Sequence, residues 1–205
     1  MKTHLVLLDN RYEFDREVND RLGAQQWDWL DKSLATHKDA DLTLILAGVQ
    51  MIRDNSVIDE GFDWENKIKL FETIARNEVS NVVLLSGDVH FANAYQSACK
   101  ALTGYGLYEI TSSGMSHTID SFNTALVREF IEVWQAPIYT TNRIVTKYNY
   151  GDVIIDTVNK KVKMAVRDLD GGSHYLHDLD LLKDLNFDAA NLKKNPELCR
   201  NVQRD

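Results

Sequence analysis

Asp88 and His90 close the stretch Ser86-Gly87-Asp88-Val89-His90, directly after the apolar run Val82-Val83-Leu84-Leu85. In extended backbone, residues two apart point the same way. One carboxylate and one imidazole at a strand end can then contribute a pair of ligands to Zn, Mn or Fe. The spacing predicts extended backbone through His90, with Gly87 turning beside an ion without a Cβ in the way. A plainer reading stands beside it: Asp88 caps a helix over 91–100 and His90 is an ordinary part-buried side chain. Ser112-Ser113-Gly114 with His117 forms a second polar group. A serine-hydrolase elbow needs Gly-x-Ser-x-Gly between strand and helix, and the first glycine is absent. The alternative there is a Ser/Gly turn capping a helix from near Ser116. Asp9-Asn10-Arg11 is the third group. Arg11 suits two-pronged pairing with a phosphate or carboxylate, and it could equally bridge to Asp9 or Asp15. His4 and His37 read as solvated side chains. His174 and His177 lack an acidic or sulfur partner at a recognised metal spacing.

All three groups sit where a buried strand should end. Leu5-Val6-Leu7-Leu8, Leu42 to Ala47 and Val82 to Leu85 are continuous apolar runs, the pattern of strands covered on both faces. Between them, Trp27, Leu30 and Leu34, then Trp64, Ile68, Phe71 and Ile74, recur at helical spacing. Strand, helix, strand, helix, strand gives two βαβ crossovers and a mainly parallel sheet. Leu107 to Thr111 reads as a further strand, and Phe122, Leu126, Phe130 and Val133 as a third amphipathic helix stopped before Pro137. Val153 to Thr157 and Val162 to Asp168 around Asn159-Lys160 predict an antiparallel hairpin. From Leu179 the chain turns polar, with a helix and a frayed end expected. The tryptophans Trp27, Trp29, Trp64 and Trp134 read as core or core-margin residues. The fold class is α/β: a layered mixed sheet with a carboxyl-terminal hairpin, as one domain over 1–182 and a polar tail over 183–205. In such sheets ligands collect outside the carboxyl ends of the strands, which is where the three polar groups fall.

The 205 residues are enough for one domain that buries roughly 70% of its unfolded surface. A net charge of −8 without a basic stripe argues against nucleic acid or an anionic membrane and leaves room for bound cations. No apolar run approaches a transmembrane span. Met1 to Asn10 is too short and too soon charged for a secretory signal, so no localisation is assigned. Cys99 and Cys199 lie too far apart in sequence for a zinc motif or a disulfide framework to be read from spacing.

Taken in order, Leu8-Asp9-Asn10-Arg11-Tyr12, Gln26-Trp27 with Trp29-Leu30, Ala47-Gly48-Val49-Gln50, Leu85 to Phe91, Glu109 to His117 and Tyr148 to Asp156 form a series. It resembles the carboxyl-terminal half of the alkaline phosphatase D-like metallophosphoesterases, in the calcineurin-like and purple acid phosphatase superfamily. The resemblance implies half of a four-layer αββα sandwich and a two-metal centre that hydrolyses phosphate mono- or diesters. It implies Asp88 and His90 as metal ligands, with Fe, Zn, Mn or Ca as the ions. His117 would bind phosphoryl oxygens or protonate the leaving group, Arg11 would contact substrate or hold its loop, and Asp9 and Ser113 would lie against the substrate. The family's early ligand motifs, Asp-x-His, Gly-Asp-x-x-Asp and an Asn-containing loop, are absent. Phe14 stands where a second basic residue is expected. Two expectations follow. One is a portion of a phosphoesterase that needs an amino-terminal companion or self-association. The other is a non-catalytic structural or binding subunit of the same descent. A metal-free hydrolase using Ser113 and His117 is a third, different class.

Overall fold

The apolar runs become strands and the periodic stretches between them become helices in the computed structural model, which describes residues 1–15, 17–52, 61–97, 99–119 and 144–193. Strands β1 (Thr3–Leu8), β2 (Leu42–Ala47) and β3 (Val82–Ser86) alternate with helices α1 (Gly23–Thr36) and α2 (Trp64–Arg76). Then come β4 (Ala92–Ser97), a single helical turn α3 (Lys100–Thr103) and β5 (Leu107–Ser112). β6 (Asn149–Asp156), β7 (Lys161–Asp168) and β8 (Ser173–Asp180) complete the strands. The first five form one sheet in the order β1-β2-β3-β5-β4, and the last three form an antiparallel sheet in sequence order.

β1, β2, β3 and β5 are parallel, as two βαβ crossovers require. β4 is antiparallel to β5 and closes the sheet. α2 begins at an Asp63 cap whose side chain accepts from the Asn66 N–H, with Glu65 in its first turn, both favourable at a helix amino end. α1 buries Trp27, Leu30 and Leu34, as its spacing predicts, whereas Trp29 is exposed on the opposite side.

The sheets and helices stack in three layers. His4 of β1 reaches the Ser33 hydroxyl of α1 across 3.1 Å, which places the helices on that face. Tyr108 of β5 points from the opposite face and meets the His177 ring of β8 edge-on at 5.3 Å. The antiparallel sheet therefore covers the side the helices leave open, and Met164 and Val166 of β7 join the main core. Helix, sheet, sheet is three of the four layers of an αββα sandwich.

Two expectations need correction. Strand β4 (Ala92–Ser97) stands in place of the helix expected over 91–100, because Ala92, Ala94 and their neighbours pair with β5 and are buried on both faces. The expected hairpin is present as β6 and β7, and β8 extends it to a three-stranded sheet by pairing along β7 with a shift at Val166/Arg167. Past Leu179 the described chain shows a 3-10 turn at Ala189–Asn191 in place of a helix. Leu185 is fully buried in the main core and Asn191 donates to the Gly104 carbonyl, so packing continues beyond residue 182. The helix expected at Phe122–Val133 lies outside the described residues. Cys99, buried next to α3, is disulfide-bonded.

His4 also stacks on His37 at 4.4 Å. Burial, followed by the charge of His37, pushes the His4 imidazole below its ordinary value. The unfolded chain therefore binds this proton more readily than the folded one. The stability carried by the neutral ring is complete above about pH 6.5 and is lost as the pH falls below it. His4→Gln is expected to flatten the decline in urea midpoint between neutral pH and about pH 5.5; an unchanged slope would contradict this account.

Candidate functional site

Strand register brings the polar groups to one edge. Leu7, Leu46, Leu85 and Ile110 lie side by side as successive partners across β1, β2, β3 and β5. Two positions further along the four strands stand Asp9, Gly48, Gly87 and Ser112, so the tips emerge together at the carboxyl edge of the sheet. A Cβ at Gly87 would lie within 4 Å of the Gly48 carbonyl, the Ser112 carbonyl and the Ser113 hydroxyl.

The β1 tip is fastened from both sides. Gln26 of α1 accepts from the Asp9 N–H at 2.8 Å and donates to the Asp9 carbonyl at 2.6 Å. Asn10 is buried, and its Oδ1 accepts from the Gly48 N–H at 2.8 Å. The Asp9 carboxylate accepts from the backbone N–H groups of Arg11 and Tyr12, each at 3.0 Å. Those two donors hold its carboxyl below the usual carboxylate range. Asp9 thus shapes the loop that carries Arg11. Arg11 bridges to neither Asp9 nor Asp15 through its guanidinium in the bonds described; its Nη2 donates to Asp88 Oδ1 at 3.0 Å, linking the first tip to the third.

The third tip is not extended. β3 ends at Ser86, and both Asp88 (φ 75°) and His90 (φ 59°) adopt left-handed backbone. Aspartate and histidine tolerate that region better than most residues, and strained positions of this kind cluster at functional sites. Gly87 is not the residue with positive φ, so the expected tight turn falls one position later. Val89 and Phe91 are buried with Ile119 and Ile144 in a small second core, while Asp88 and His90 are exposed. Both therefore reach the crevice by a left-handed turn rather than by strand alternation. The His90 ring lies 6.0 Å from the His117 ring.

The Ser-Ser-Gly turn is pinned by the antiparallel sheet. Asn149 of β6 donates from its backbone to the Gly114 carbonyl, and its Oδ1 accepts from Ser112 Oγ at 3.0 Å. A Cβ at Gly114 would collide with the Asn149 amide, so this glycine is required by close approach. His117 Nδ1 lies 3.3 Å from the Ser116 hydroxyl. Among the described residues Ser113 and His117 share no hydrogen bond, so the nucleophile–base pair of a serine hydrolase is not assembled.

The fold is α/β, and Arg11 with Asp88 and His90 with His117 stand near the carboxyl ends of its parallel strands. The family model of the PhoD-like phosphatases matches residues 7–166. The chain belongs to the PhoD-like phosphatase family. Among solved structures it is similar to one described as "Structure of PhoD", at 14% identity and a TM-score of 0.48. That likeness covers 98% of this chain and 47% of the other, so the chain spans just under half of that structure's length. No curated protein matches the chain.

A polar layer that sequence reasoning missed lies beneath the tips, on the helix side of the sheet. Glu109 of β5 is fully buried, and its carboxylate accepts from the Met51 N–H at 2.9 Å and the Ile52 N–H at 2.7 Å. Burial pushes its carboxyl up; the Ser86 hydroxyl, these two N–H groups and the charge of Lys67 act in the opposite direction. Gln50 donates to Tyr95 and Thr111, and Ser86 bonds Thr111 at 2.8 Å. The layer fixes residues 50–52, which continue from the Gly48 tip. Its only sequence signal is a glutamate at an inward position of an otherwise apolar strand. Glu109→Ala leaves two buried N–H groups without an acceptor and is expected to cost about 2–4 kcal/mol. Glu109→Gln, which keeps one acceptor oxygen, should cost less. Urea denaturation of both variants measures this; equal stability of Glu109→Ala and the parent would contradict it.

Proposed function

We propose that the chain is the carboxyl-terminal portion of a binuclear metal-dependent phosphoesterase, acting on phosphate mono- or diesters. The observation that carries this reading is the meeting of Arg11, Asp88, His90 and His117 at one sheet edge, in a chain of the PhoD-like phosphatase family.

Asp88 and His90 suit a metal in their donor chemistry. Among the described residues, Asp88 Oδ2 and both ring nitrogens of His90 take part in no hydrogen bond, so a carboxylate oxygen and an imidazole nitrogen remain available. Two donors are fewer than a metal centre needs, and the described residues contain no group of three or more His, Cys, Asp or Glu placed to hold an ion. The remaining ligands would come from an amino-terminal companion or from a second copy of the chain. Leu5 and Leu7, 64% and 71% exposed on the edge strand β1, support such a partner, since an open apolar edge invites pairing. The bound ions, Fe, Zn, Mn or Ca, would polarise the phosphoryl group and supply a nucleophilic water at neutral pH.

The chain's own residues then have separate tasks. Arg11 offers a planar fork to phosphoryl oxygens, held in place by the loop that Asp9 shapes. His117, beside His90, binds a phosphoryl oxygen or hands a proton to the leaving oxygen. Ser113, beside Gly87, lines the substrate side of the crevice. The second reading, a non-catalytic structural or binding subunit of the same ancestry, is favoured by the absence of a ligand cluster among the described residues.

Asp88→Ala and His90→Ala are each expected to lower bound Mn or Zn by an order of magnitude or more with the circular dichroism spectrum retained. Elemental analysis after dialysis measures this, and equal metal content in variant and parent would refute the ligand assignment. Turnover of a chromogenic phosphate ester is expected only once an amino-terminal companion is added. A chain that takes up no metal with or without that companion fits the structural subunit instead.

A further inference from the structure

We propose that the space over Gly48 and Gly87 is a cradle for hydrogen phosphate, free or as a monoester that keeps one P–OH, recognised by neutral groups and without a cation. This rests on the reading of the carboxyl edge as the place where the phosphoryl group sits, and adds to it the groups that recognise the anion.

Three observations carry it. The first is room. Gly48 and Gly87 stand in one row just past the ends of β2 and β3, and Gly48 is exposed. A Cβ at Gly87 would meet nothing nearer than the Gly48 carbonyl at 3.8 Å, then the Ser112 carbonyl and the Ser113 hydroxyl at 3.9 Å.

The second is an unspent donor. Asn10 is 3% exposed, and its Oδ1 accepts from the Gly48 N–H at 2.8 Å. A backbone N–H can only donate, so this contact fixes which end of the amide is oxygen. The Nδ2 end is buried and has no hydrogen-bond partner, a state native structures rarely leave unfilled. With its oxygen engaged, Asn10 offers N–H donors and calls for an acceptor rather than a cation. A Cβ at Gly48 would lie 3.8 Å from that nitrogen. An oxygen seated there needs a movement of roughly 1 Å to reach hydrogen-bond length.

The third is the mixture of groups around Gly87. Its two neighbouring carbonyls can only accept. Ser113 is held by its N–H on the Phe91 carbonyl, and its hydroxyl, which joins no hydrogen bond among the described residues, can give or take. An oxyanion without a proton is repelled by the carbonyls. One with a P–OH donates to a carbonyl while its bare oxygens accept from Asn10 and Ser113. Hydrogen phosphate meets both demands at neutral pH. Sulfate, with the same shape and no proton, does not.

Nitrogen-15 spectra of the full chain, stripped of metal with EDTA, read the cradle directly. Sodium phosphate should shift the Asn10 side-chain NH₂ pair saturably, and sodium sulfate at equal ionic strength should bind at least tenfold more weakly. Gly87→Ala adds a methyl that makes only ordinary contacts, so its urea midpoint should hold while phosphate affinity falls at least tenfold. Phosphate that shifts the His117 ring but not Asn10, or that binds Gly87→Ala as tightly as the parent, would overturn the cradle and leave the reading of the edge standing. Equal affinity for phosphate and sulfate would overturn recognition through the proton. A long-lived water on the Asn10 NH₂ that phosphate does not displace would mean a buried water only, and would overturn the cradle as well. Phosphate that shifts neither Asn10 nor His117 would overturn both the cradle and the reading beneath it.

Discussion

Parallel hydrogen bonding of β1, β2, β3 and β5 fixes where four strands stop, and every feature of the crevice follows from that constraint. A slip of one residue in Leu42–Ala47 or Val82–Ser86 would turn each side chain to the other face. With the register held, Leu7, Leu46, Leu85 and Ile110 form the last common row. Polar residues distant in sequence then emerge together. α1 and α2 cover one face and the antiparallel sheet packs against β5 on the other, so the polar tips are presented at the carboxyl edge.

Local devices then aim the side chains. Gln26 and Asn10 fasten the first tip to α1 and to Gly48. Asn149 fastens the Ser-Ser-Gly turn to the second sheet. Val89 and Phe91 anchor the third tip in a small apolar cluster, which leaves Asp88 and His90 outside it. Beneath them, the buried Glu109 carboxyl holds residues 51 and 52 by accepting a hydrogen bond from each backbone N–H. A buried network of this sort holds its segment firmly only while every member is satisfied.

The parallel core was legible because apolar runs and helical stripes are strong signals, and β1, α1, β2, α2 and β3 fall where the pattern puts them. β4 was not, because Phe91 to Lys100 carries no alternation: with both faces covered, Ala92, Asn93 and Ala94 are all buried. β8 was missed because its polar residues, such as Asp178 opposite Lys163, sit on the solvated face of its sheet. That Asp88, His90, Arg11 and His117 follow strand ends was legible from the apolar runs before them. Their backbone was not, since a left-handed Asp or His leaves no mark in a single sequence. Nor was the pairing of Arg11 with Asp88, which depends on a contact spanning 77 positions.

The central claim is that the left-handed turn at the end of β3 presents the carboxylate of Asp88 and the imidazole of His90 to one metal ion. The most direct measurement is the ¹⁵N resonance of each histidine ring during titration of the folded chain with Zn²⁺. A large shift of one His90 ring nitrogen, with His4 and His37 unmoved, is the result this account predicts. Saturating Zn²⁺ that leaves His90 unshifted, or that shifts all histidines alike, would contradict it.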